Sequence, residues 1–317
     1  MLSSLSSAEM FNVLDRRFHW FKSVIGLGLG LIATTAHAQS SDPASSKAAS
    51  YADLKKSLTF HAAFDDSVDA NFSKGDVSLW SSVDMNKRET AVKGLPAGER
   101  VVLEKSGGRF GGSLRFMTAK GPMVFYRGKE NILAPKTDWS GTVSFWLSTD
   151  PLKDLAPGFC DPIQITSKQW DDAAMFVEFE KRPAGIPFRL GVYANKNVWN
   201  PNGRKFEDIP PAERPLAAVE QPPFLGDQWV HVVFVFEHFN TNEPNGQATL
   251  FLNGKKAAAI SNRSQTFTWD LDQSAIMLGL GYVGKMDDLA IFNRALTEAE
   301  VQMLSGLPRG VAELSSP

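Results

Sequence analysis

Cysteine is almost missing from this chain of 317 residues, in which Cys160 is the only one. A single cysteine cannot form an intramolecular disulfide bond, so the fold must be stabilised by its core, with or without a bound metal. Cys160 lies in a mostly apolar run beside Asp161 and Pro162, without the neighbours that mark a catalytic thiol. We therefore expect a buried, unreactive side chain at this position.

Net charge is also small, because 33 lysine and arginine residues are balanced by 35 aspartate and glutamate residues. The formal charge of -2 gives no argument for binding nucleic acid or acidic membranes through bulk electrostatics. The sequence contains no phosphate-binding loop, nucleophile elbow, zinc-protease motif or dinucleotide fingerprint. His61 and His238 lack the neighbouring ligands of a zinc site. These absences argue against nucleotide-dependent and zinc-dependent enzymes.

The sequence has one long apolar run, residues 24–34, near its N-terminus. Basic residues precede this run, and residues 36–38 (Ala-His-Ala) offer a small-x-small cleavage pattern. These features predict a signal peptide over residues 1–38, with a membrane anchor as the alternative. Because the run is shorter than the roughly 20 residues that a spanning helix needs, we expect no membrane insertion after cleavage. The predicted location is secreted, periplasmic or at the cell surface.

The rest of the chain has the pattern of a linker followed by one all-β domain. Residues 39–57 are rich in serine, alanine and lysine, which is typical of a flexible linker. From residue 58 onward, short apolar runs alternate with glycine, proline and aspartate. The predicted strands are 58–64, 100–105, 113–117, 123–126, 141–149, 161–167, 173–180, 187–194, 229–238, 247–253, 256–260, 275–279 and 283–292. Two packed antiparallel sheets would bury so many short strands.

Alternation along these strands separates a core face from an outer face. In residues 142–149, Val143, Phe145 and Leu147 point one way, whereas Trp146 lies on an otherwise small and polar face. Trp146 is therefore a candidate exposed aromatic residue. The alternative interpretation is that a neighbouring loop covers Trp146.

Residues 195–227 interrupt the regular spacing of strands and carry six prolines between positions 201 and 223. Insertions of this length inside a compact domain are usually functional or disordered. Because each proline fixes its φ angle, the insertion is predicted to be stiff and ordered. We expect a flap over one face or rim of the domain, and the alternative is a decoration that only covers apolar sheet surface.

The last third of the chain carries the most specific patterns, beginning with a predicted β-hairpin. Residues 229–236 contain Trp-x-His followed by an apolar run, and residues 248–255 form the second strand. The second strand ends at Asn253 and Gly254, which tolerate the positive φ angles of a tight turn.

Residues 284–301 combine a strand with a short helix, in which Thr297 is the predicted N-cap and Glu300 completes a capping box. The order Trp-x-His, Asn-Gly-Lys, Gly-x-x-Asp-Asp and Asn-Arg-Ala-Leu-Thr resembles the laminin-G-like family of concanavalin A-like jelly rolls. The resemblance covers about residues 58–306 and leaves 307–317 as a tail. It implies an all-β, two-sheet antiparallel jelly-roll sandwich with one short C-terminal helix.

Asp287 is a candidate metal ligand, because it shares a strand face with Leu289 and Ile291 and should point inward. A buried carboxylate is costly unless it is paired, hydrogen-bonded or bound to a metal. The resemblance implies a structural calcium between the N-terminal strand and the last long strand, at positions that match Asp65 and Asp287. Carboxylate oxygens suit calcium. The alternative is that Asp287 only caps backbone amides of a turn.

Catalysis is a weaker interpretation of this sequence. Related β-glucan hydrolases carry Glu-x-Asp-x-x-Glu or Glu-x-Asp-x-Glu on one strand, and the nearest match here is Glu178-Phe179-Glu180. The two carboxylates share a face, but the central aspartate and the second glutamate of the motif are absent. We therefore assign no catalytic residue. A divergent polysaccharide-cleaving hydrolase that uses this pair remains an alternative.

The signal peptide, the incomplete catalytic motif and the resemblance together predict a secreted, non-catalytic binding module for a glycan or glycoprotein. Aromatic rings stack on sugar faces, and amide groups bind hydroxyls. The candidate ligand-binding residues are Trp146, Tyr193, Asn195 and Trp199, with Trp170 and Asn197 as further contributors. A cell-surface adhesion or structural domain with a protein partner is a third hypothesis.

Overall fold

Strands arranged in two antiparallel sheets account for most of the regular secondary structure in the computed structural model, which describes residues 51–84 and 87–315. The predicted signal peptide and residues 39–50 of the predicted linker lie outside the described residues. Within the described ranges, none of the helices is long and apolar enough to cross a membrane.

The strands and helices follow in this order along the chain. The strands are β1 (Leu58–Ala62), β2 (Phe72–Ser73), β3 (Trp80–Ser82), β4 (Val92–Lys93), β5 (Val101–Glu104), β6 (Ser113–Phe116), β7 (Met123–Arg127), β8 (Trp139–Ser148), β9 (Gly158–Thr166), β10 (Ala174–Lys181), β11 (Phe188–Tyr193), β12 (Leu216–Val219), β13 (Val230–Phe239), β14 (Gly246–Leu252), β15 (Lys255–Arg263), β16 (Ala275–Leu280) and β17 (Gly284–Phe292). The α-helical segments are α1 (residues 51–57), α2 (Lys196–Trp199), α3 (Glu298–Ser305) and α4 (Ala312–Ser315). Short 3-10 helices occupy Arg88–Thr90, Phe206–Asp208 and Pro211–Glu213.

These strands form two sheets, which we call sheet A and sheet B. Sheet A has the order β15-β14-β13-β8-β17-β1-β2, with β6 beside β17 and β5 beside β6. Sheet B has the order β12-β11-β10-β9-β16-β7-β3-β4. The architecture is the antiparallel sandwich that the sequence predicted. The thirteen predicted strands are all present, and the sequence missed only β2, β3, β4 and β12, each two to four residues long.

The core between the sheets is built from the inward-facing residues of both. Val143, Phe145 and Leu147 of β8 and Val232 and Phe234 of β13 are fully buried in it. The predicted alternation in these two strands is confirmed. Each sheet also keeps an outer face, which is turned away from this core.

The outer face of sheet A lies under helices. Leu54 of α1 and Val301 of α3 are completely buried and join a second apolar cluster with Val233 and Val235 of β13. The prediction of a flexible linker is therefore wrong for residues 51–57, because Leu54 anchors this helical segment to the sheet.

Two local predictions from the sequence are confirmed in detail. Asn253 and Gly254 adopt φ angles of 51° and 75°, as the turn between β14 and β15 requires. Helix α3 begins at a capping box: the Thr297 hydroxyl accepts from the Glu300 amide, and the Glu300 carboxylate accepts from the Thr297 amide.

Candidate functional site

Three of the four predicted ligand-binding residues come together on the outer face of sheet B. Tyr193 ends β11, Asn195 follows it, and Trp199 ends α2 in the proline-rich insertion. They are close in space because the chain turns back over the sheet directly after β11. Trp146 does not join them, because β8 belongs to sheet A.

The prediction that Trp146 is an exposed aromatic residue is wrong, because its side chain is only 5% exposed. Its ring stacks on His231 at 4.7 Å between centroids. The glycine-rich loop 107–112 covers the other side, with the Phe110 ring 5.5 Å and the Arg109 guanidinium 4.7 Å from the Trp146 ring. A ring enclosed in this way cannot present its face to a ligand.

Four aromatic residues, Trp170, Tyr193, Trp199 and Phe206, form a cluster that we call the aromatic platform. Tyr193 is its buried centre, and its ring lies 5.6 Å from Trp170 and 5.0 Å from Trp199, edge to face in both cases. Phe206 contacts Trp170 at 6.0 Å. Trp170 is 47% exposed, so about half of its surface remains open to a ligand.

The platform is held in place by hydrogen bonds from the insertion to the loop before β10. The Trp199 indole nitrogen donates to the Asp171 carbonyl at 2.8 Å. Lys196 forms an ion pair with Asp171 at 2.7 Å. Because these contacts connect α2 to the segment that carries Trp170, the rings keep a fixed mutual arrangement. The insertion thus orders the platform and, through β12, also extends the edge of sheet B.

The Asn195 side chain, directly before α2, forms hydrogen bonds with Thr268. Its side-chain amide donates to the Thr268 hydroxyl, and its carbonyl oxygen accepts from the Thr268 backbone amide at 3.1 Å. The Asn195 side chain is buried, so most of its hydrogen-bonding capacity is used within the protein. This geometry favours a positioning role for Asn195 over direct contact with a ligand.

Phe206 is the platform residue that sequence reasoning missed, and Trp170 was named there only as a further contributor. Both lie in polar segments without alternation, where an isolated aromatic residue has no periodic partner. The sequence signal for each of these two residues was a single large aromatic side chain in an otherwise polar segment.

A second group on the same outer face contains Glu178 and Glu180 on β10 and Arg189 on β11. The Arg189 guanidinium donates to Glu178 from two nitrogens, one of them at 3.0 Å, and to Glu180 at 2.8 Å. Burial raises the pKa of Glu178, and Arg189 acts in the opposite direction. Burial and the nearby charge of Glu178 also raise the pKa of Asp161 well above its usual range. The Arg189 guanidinium therefore bridges the carboxylates of Glu178 and Glu180.

The two predicted metal ligands lie at either end of the glycine-rich loop 107–112. Asp287 accepts backbone hydrogen bonds from Arg109 at 2.7 Å and Phe110 at 3.0 Å. Asp65 accepts from the Gly112 amide at 3.0 Å. In the structure, Asp287 therefore caps backbone amides, which was its alternative role.

Asp287 keeps one unsatisfied atom, because its Oδ1 is buried without a hydrogen-bond partner. Burial raises the pKa of Asp287 from 3.8 to about 7, with the Phe110 amide acting against it and the Asp288 charge adding to it. Among residues 51–84 and 87–315, no group of three or more His, Cys, Asp and Glu side chains is close enough to hold a metal ion.

Comparison with known proteins identifies matches at the level of family and fold. The family model of the concanavalin A-like lectin/glucanases superfamily (laminin G type) matches residues 129–302. Among curated protein sequences, none matches this chain.

Solved structures with a similar fold include two binding domains of botulinum neurotoxins. The neurotoxin DC domain, in complex with SialylT, has a TM-score of 0.51 at 12% identity over 80% of this chain and 52% of its own. The serotype D domain, in complex with N-acetylneuraminic acid, has a TM-score of 0.50 at 12% identity over 81% and 52%. This chain therefore spans about half the length of these domains.

A third structure is domain 4 of an extracellular arabinanase from Geobacillus stearothermophilus, in complex with arabinotriose. It has a TM-score of 0.48 at 15% identity over 78% of this chain and 98% of its own. At such identities, the similarity of the two neurotoxin domains to this chain is one of fold.

Proposed function

This chain belongs to the concanavalin A-like lectin/glucanase superfamily, and we propose that it is an exported, non-catalytic module that binds carbohydrate on the outer face of sheet B. The observation that carries the proposal is the half-exposed ring of Trp170, held at its edges by Tyr193 and Phe206. Export rests on the predicted signal peptide, residues 1–38.

Sugar binding needs a rigid apolar surface with polar groups at its border. Trp170 supplies the surface, and its contacts with Tyr193 and Phe206 fix the ring before a ligand arrives. Such preorganisation lowers the entropic cost of binding. Lys168 lies two residues before Trp170, and Lys196 pairs with the adjacent Asp171; both lysines are exposed and can donate to hydroxyl groups. The sugars bound by the two similar toxin domains are consistent with this proposal.

The bridging position of Arg189 supports a non-catalytic role for Glu178 and Glu180. A retaining glycosidase needs one free carboxylate as nucleophile and one protonated carboxyl as acid. Here one guanidinium holds both groups, so neither carboxylate is free to act as a nucleophile. We therefore expect binding of a polysaccharide without cleavage.

We further propose that calcium stabilises the loop 107–112. The unpartnered Oδ1 atom of Asp287 fits a cation, and Asp65 lies at the other end of the same loop. The remaining ligands would be backbone carbonyls and water, which calcium accepts. Chelation should lower the melting temperature of the protein, and added calcium should restore it. Unchanged melting, together with no bound ion by elemental analysis, would show that no such site exists.

A pull-down series with insoluble polysaccharides tests the binding proposal, scored for retained protein and for released reducing ends. Trp170→Ala should weaken retention by about tenfold, since covering half of a large aromatic ring is worth about 1–1.5 kcal/mol. Phe72→Ala is the matched control, because Phe72 is 39% exposed but lies on β2 of sheet A.

The Glu178→Gln/Glu180→Gln double variant separates binding from catalysis in the same series. We expect its retention to equal that of the parent, with no reducing ends released by either protein. Release of reducing ends that disappears in the double variant would contradict the non-catalytic role. Retention of no polysaccharide by the parent would refute the proposal as a whole.

A further inference from the structure

A cavity of about 240 Å³ opens on the outer face of sheet B, away from the aromatic platform. Phe125 and Arg127 of β7 line one side, Arg88 lines another, and Gln273 and Ser274 precede β16. Ligand pockets commonly measure roughly 300–1,000 Å³, so this cavity suits one group of a longer ligand. Two guanidinium groups in so small a space favour an anion.

Arg127 is the cation of this cavity with the most unused hydrogen-bond donors. Its guanidinium stacks on Trp80 at 4.4 Å from the ring centroid, and its Nε atom lies 3.7 Å from the Asp76 carboxylate. The Asp76 carboxylate also accepts the Trp80 indole hydrogen at 2.7 Å. Among the described residues, the two terminal nitrogens of Arg127 have no hydrogen-bond acceptor. They form a planar donor pair that matches a carboxylate or a sulfate group.

The cavity lining contains two carboxylates, Glu89 and Asp272, which equal the two arginines in number, so the position and partners of these carboxylates matter. Asp272 already pairs with Lys129 at 2.7 Å, and Glu89 is exposed to solvent. The Arg88 guanidinium is held in position by a hydrogen bond that it donates to the Ser167 carbonyl at 3.1 Å. An anion entering the cavity therefore meets the two guanidinium groups, while one lining carboxylate is paired with Lys129 and the other lies in solvent.

The register of sheet B puts this cavity in line with the aromatic platform. Arg127 pairs with Ala275, Ala275 with Thr166, Thr166 with Ala174, and Ala174 with Tyr193. Paired residues of antiparallel strands point to the same face. Arg127 and Tyr193 are thus the ends of one row across five strands, about 19 Å apart at roughly 4.8 Å per strand. Ser167, which holds Arg88, is three residues before Trp170.

We propose that Arg127 and Arg88 form a subsite for the anionic group of an acidic oligosaccharide, a carboxylate or a sulfate ester, whose chain extends to Trp170. This inference rests on the proposed carbohydrate-binding function and specifies its ligand class. The distance between the two regions requires a ligand longer than a single sugar. Binding should also weaken as salt concentration rises.

Paired polysaccharides that differ only in charge provide the test: polygalacturonate against its fully methyl-esterified form, and dextran sulfate against dextran. Affinity electrophoresis of the full protein gives a dissociation constant for each. We expect the acidic member of at least one pair to bind about ten- to a hundredfold more tightly, as a charge-assisted contact implies. The first pair reports a carboxylate, and the second reports a sulfate ester.

Arg127→Gln should remove this preference and leave binding of the neutral members unchanged. Arg127→Lys keeps the charge and should retain part of the preference. Arg182→Gln is the matched control, because Arg182 is 43% exposed and lies beyond the opposite end of β10. Trp170→Ala should weaken the acidic and the neutral members alike.

Equal binding of charged and neutral members overturns the subsite and leaves the proposed function intact. The same holds if Arg182→Gln reduces the preference as much as Arg127→Gln does, because diffuse attraction would then explain it. If no polysaccharide of either pair binds, and none is retained in the pull-down series, both proposals fail.

Discussion

The substitution Arg189→Met removes the guanidinium that bridges Glu178 and Glu180. Glu180 keeps Arg182 at 3.7 Å, whereas Glu178 has no other ion pair with a cation among the described residues. The Glu178 side chain is only 8% exposed. The variant therefore leaves a carboxylate buried without compensation.

Breaking a buried ion pair by removing one partner costs about 3–5 kcal/mol. For a domain of this size, about 2–4 °C of melting temperature is lost per kcal/mol. We expect a decrease of about 6–20 °C at pH 8. The double variant Glu178→Gln/Arg189→Met should recover most of this loss, because a neutral amide is much cheaper to bury than a carboxylate.

The loss should depend on pH, with a definite sign. Burial raises the pKa of Glu178 in the folded protein above its usual value of 4.5, and loss of Arg189 should raise it further. A raised folded pKa means that stability present below the unfolded pKa is lost as pH rises through the folded pKa. Arg189→Met should thus be closer to the parent at pH 5 than at pH 8.

Thermal unfolding followed by circular dichroism at the two pH values measures both effects. Equal losses at pH 5 and pH 8, or a total loss below about 1 kcal/mol, would refute the reasoning. A double variant as unstable as Arg189→Met would point to lost packing against the Phe159 ring, which lies 5.1 Å from the guanidinium.

Three further predictions concern stability. With chelator present, the parent should lose up to about 4 kcal/mol of unfolding free energy between pH 4 and pH 7, because the folded pKa of Asp287 is about 7. Urea unfolding of Asp287→Asn should show a much smaller pH dependence of the unfolding free energy. An unchanged pH dependence would show that a group other than Asp287 titrates. Leu54→Ala should cost about 2–5 kcal/mol in urea unfolding if α1 is part of the domain, and a loss below about 0.5 kcal/mol would contradict this. Thr297→Ala should cost about 1 kcal/mol through the lost cap, and Glu298→Gln is the control that leaves the capping box intact.

Sequence alone predicted the long strands because their alternation is local and repeated. The apolar faces of β8 and β13 follow directly from their periods of two residues. β2 and β4 have two residues each and lie at sheet edges, so no period exists to detect. The resemblance in the last third of the chain fixed the fold class, because its turn and cap signals coincide with strand ends.

Burial by distant segments is what the sequence did not reveal. Trp146 is covered by a loop some 36 residues earlier in the chain, which Asp65 and Asp287 hold in place. Leu54 is a single apolar anchor in a segment of linker-like composition. Tyr193, Asn195 and Trp199 were found together because they are neighbours in sequence. Phe206 reaches Trp170 only through the path of the insertion.

The dissociation constant of Trp170→Ala, relative to that of Trp170→Phe, tests the central proposal most directly. Isothermal titration calorimetry can measure both with an oligosaccharide cut from whichever polysaccharide the parent retains. A phenylalanine ring preserves stacking, so we expect its affinity within about threefold of the parent and that of the alanine variant about tenfold weaker. An alanine variant that binds as tightly as the parent, with unchanged melting, would show that the ligand lies elsewhere on the protein.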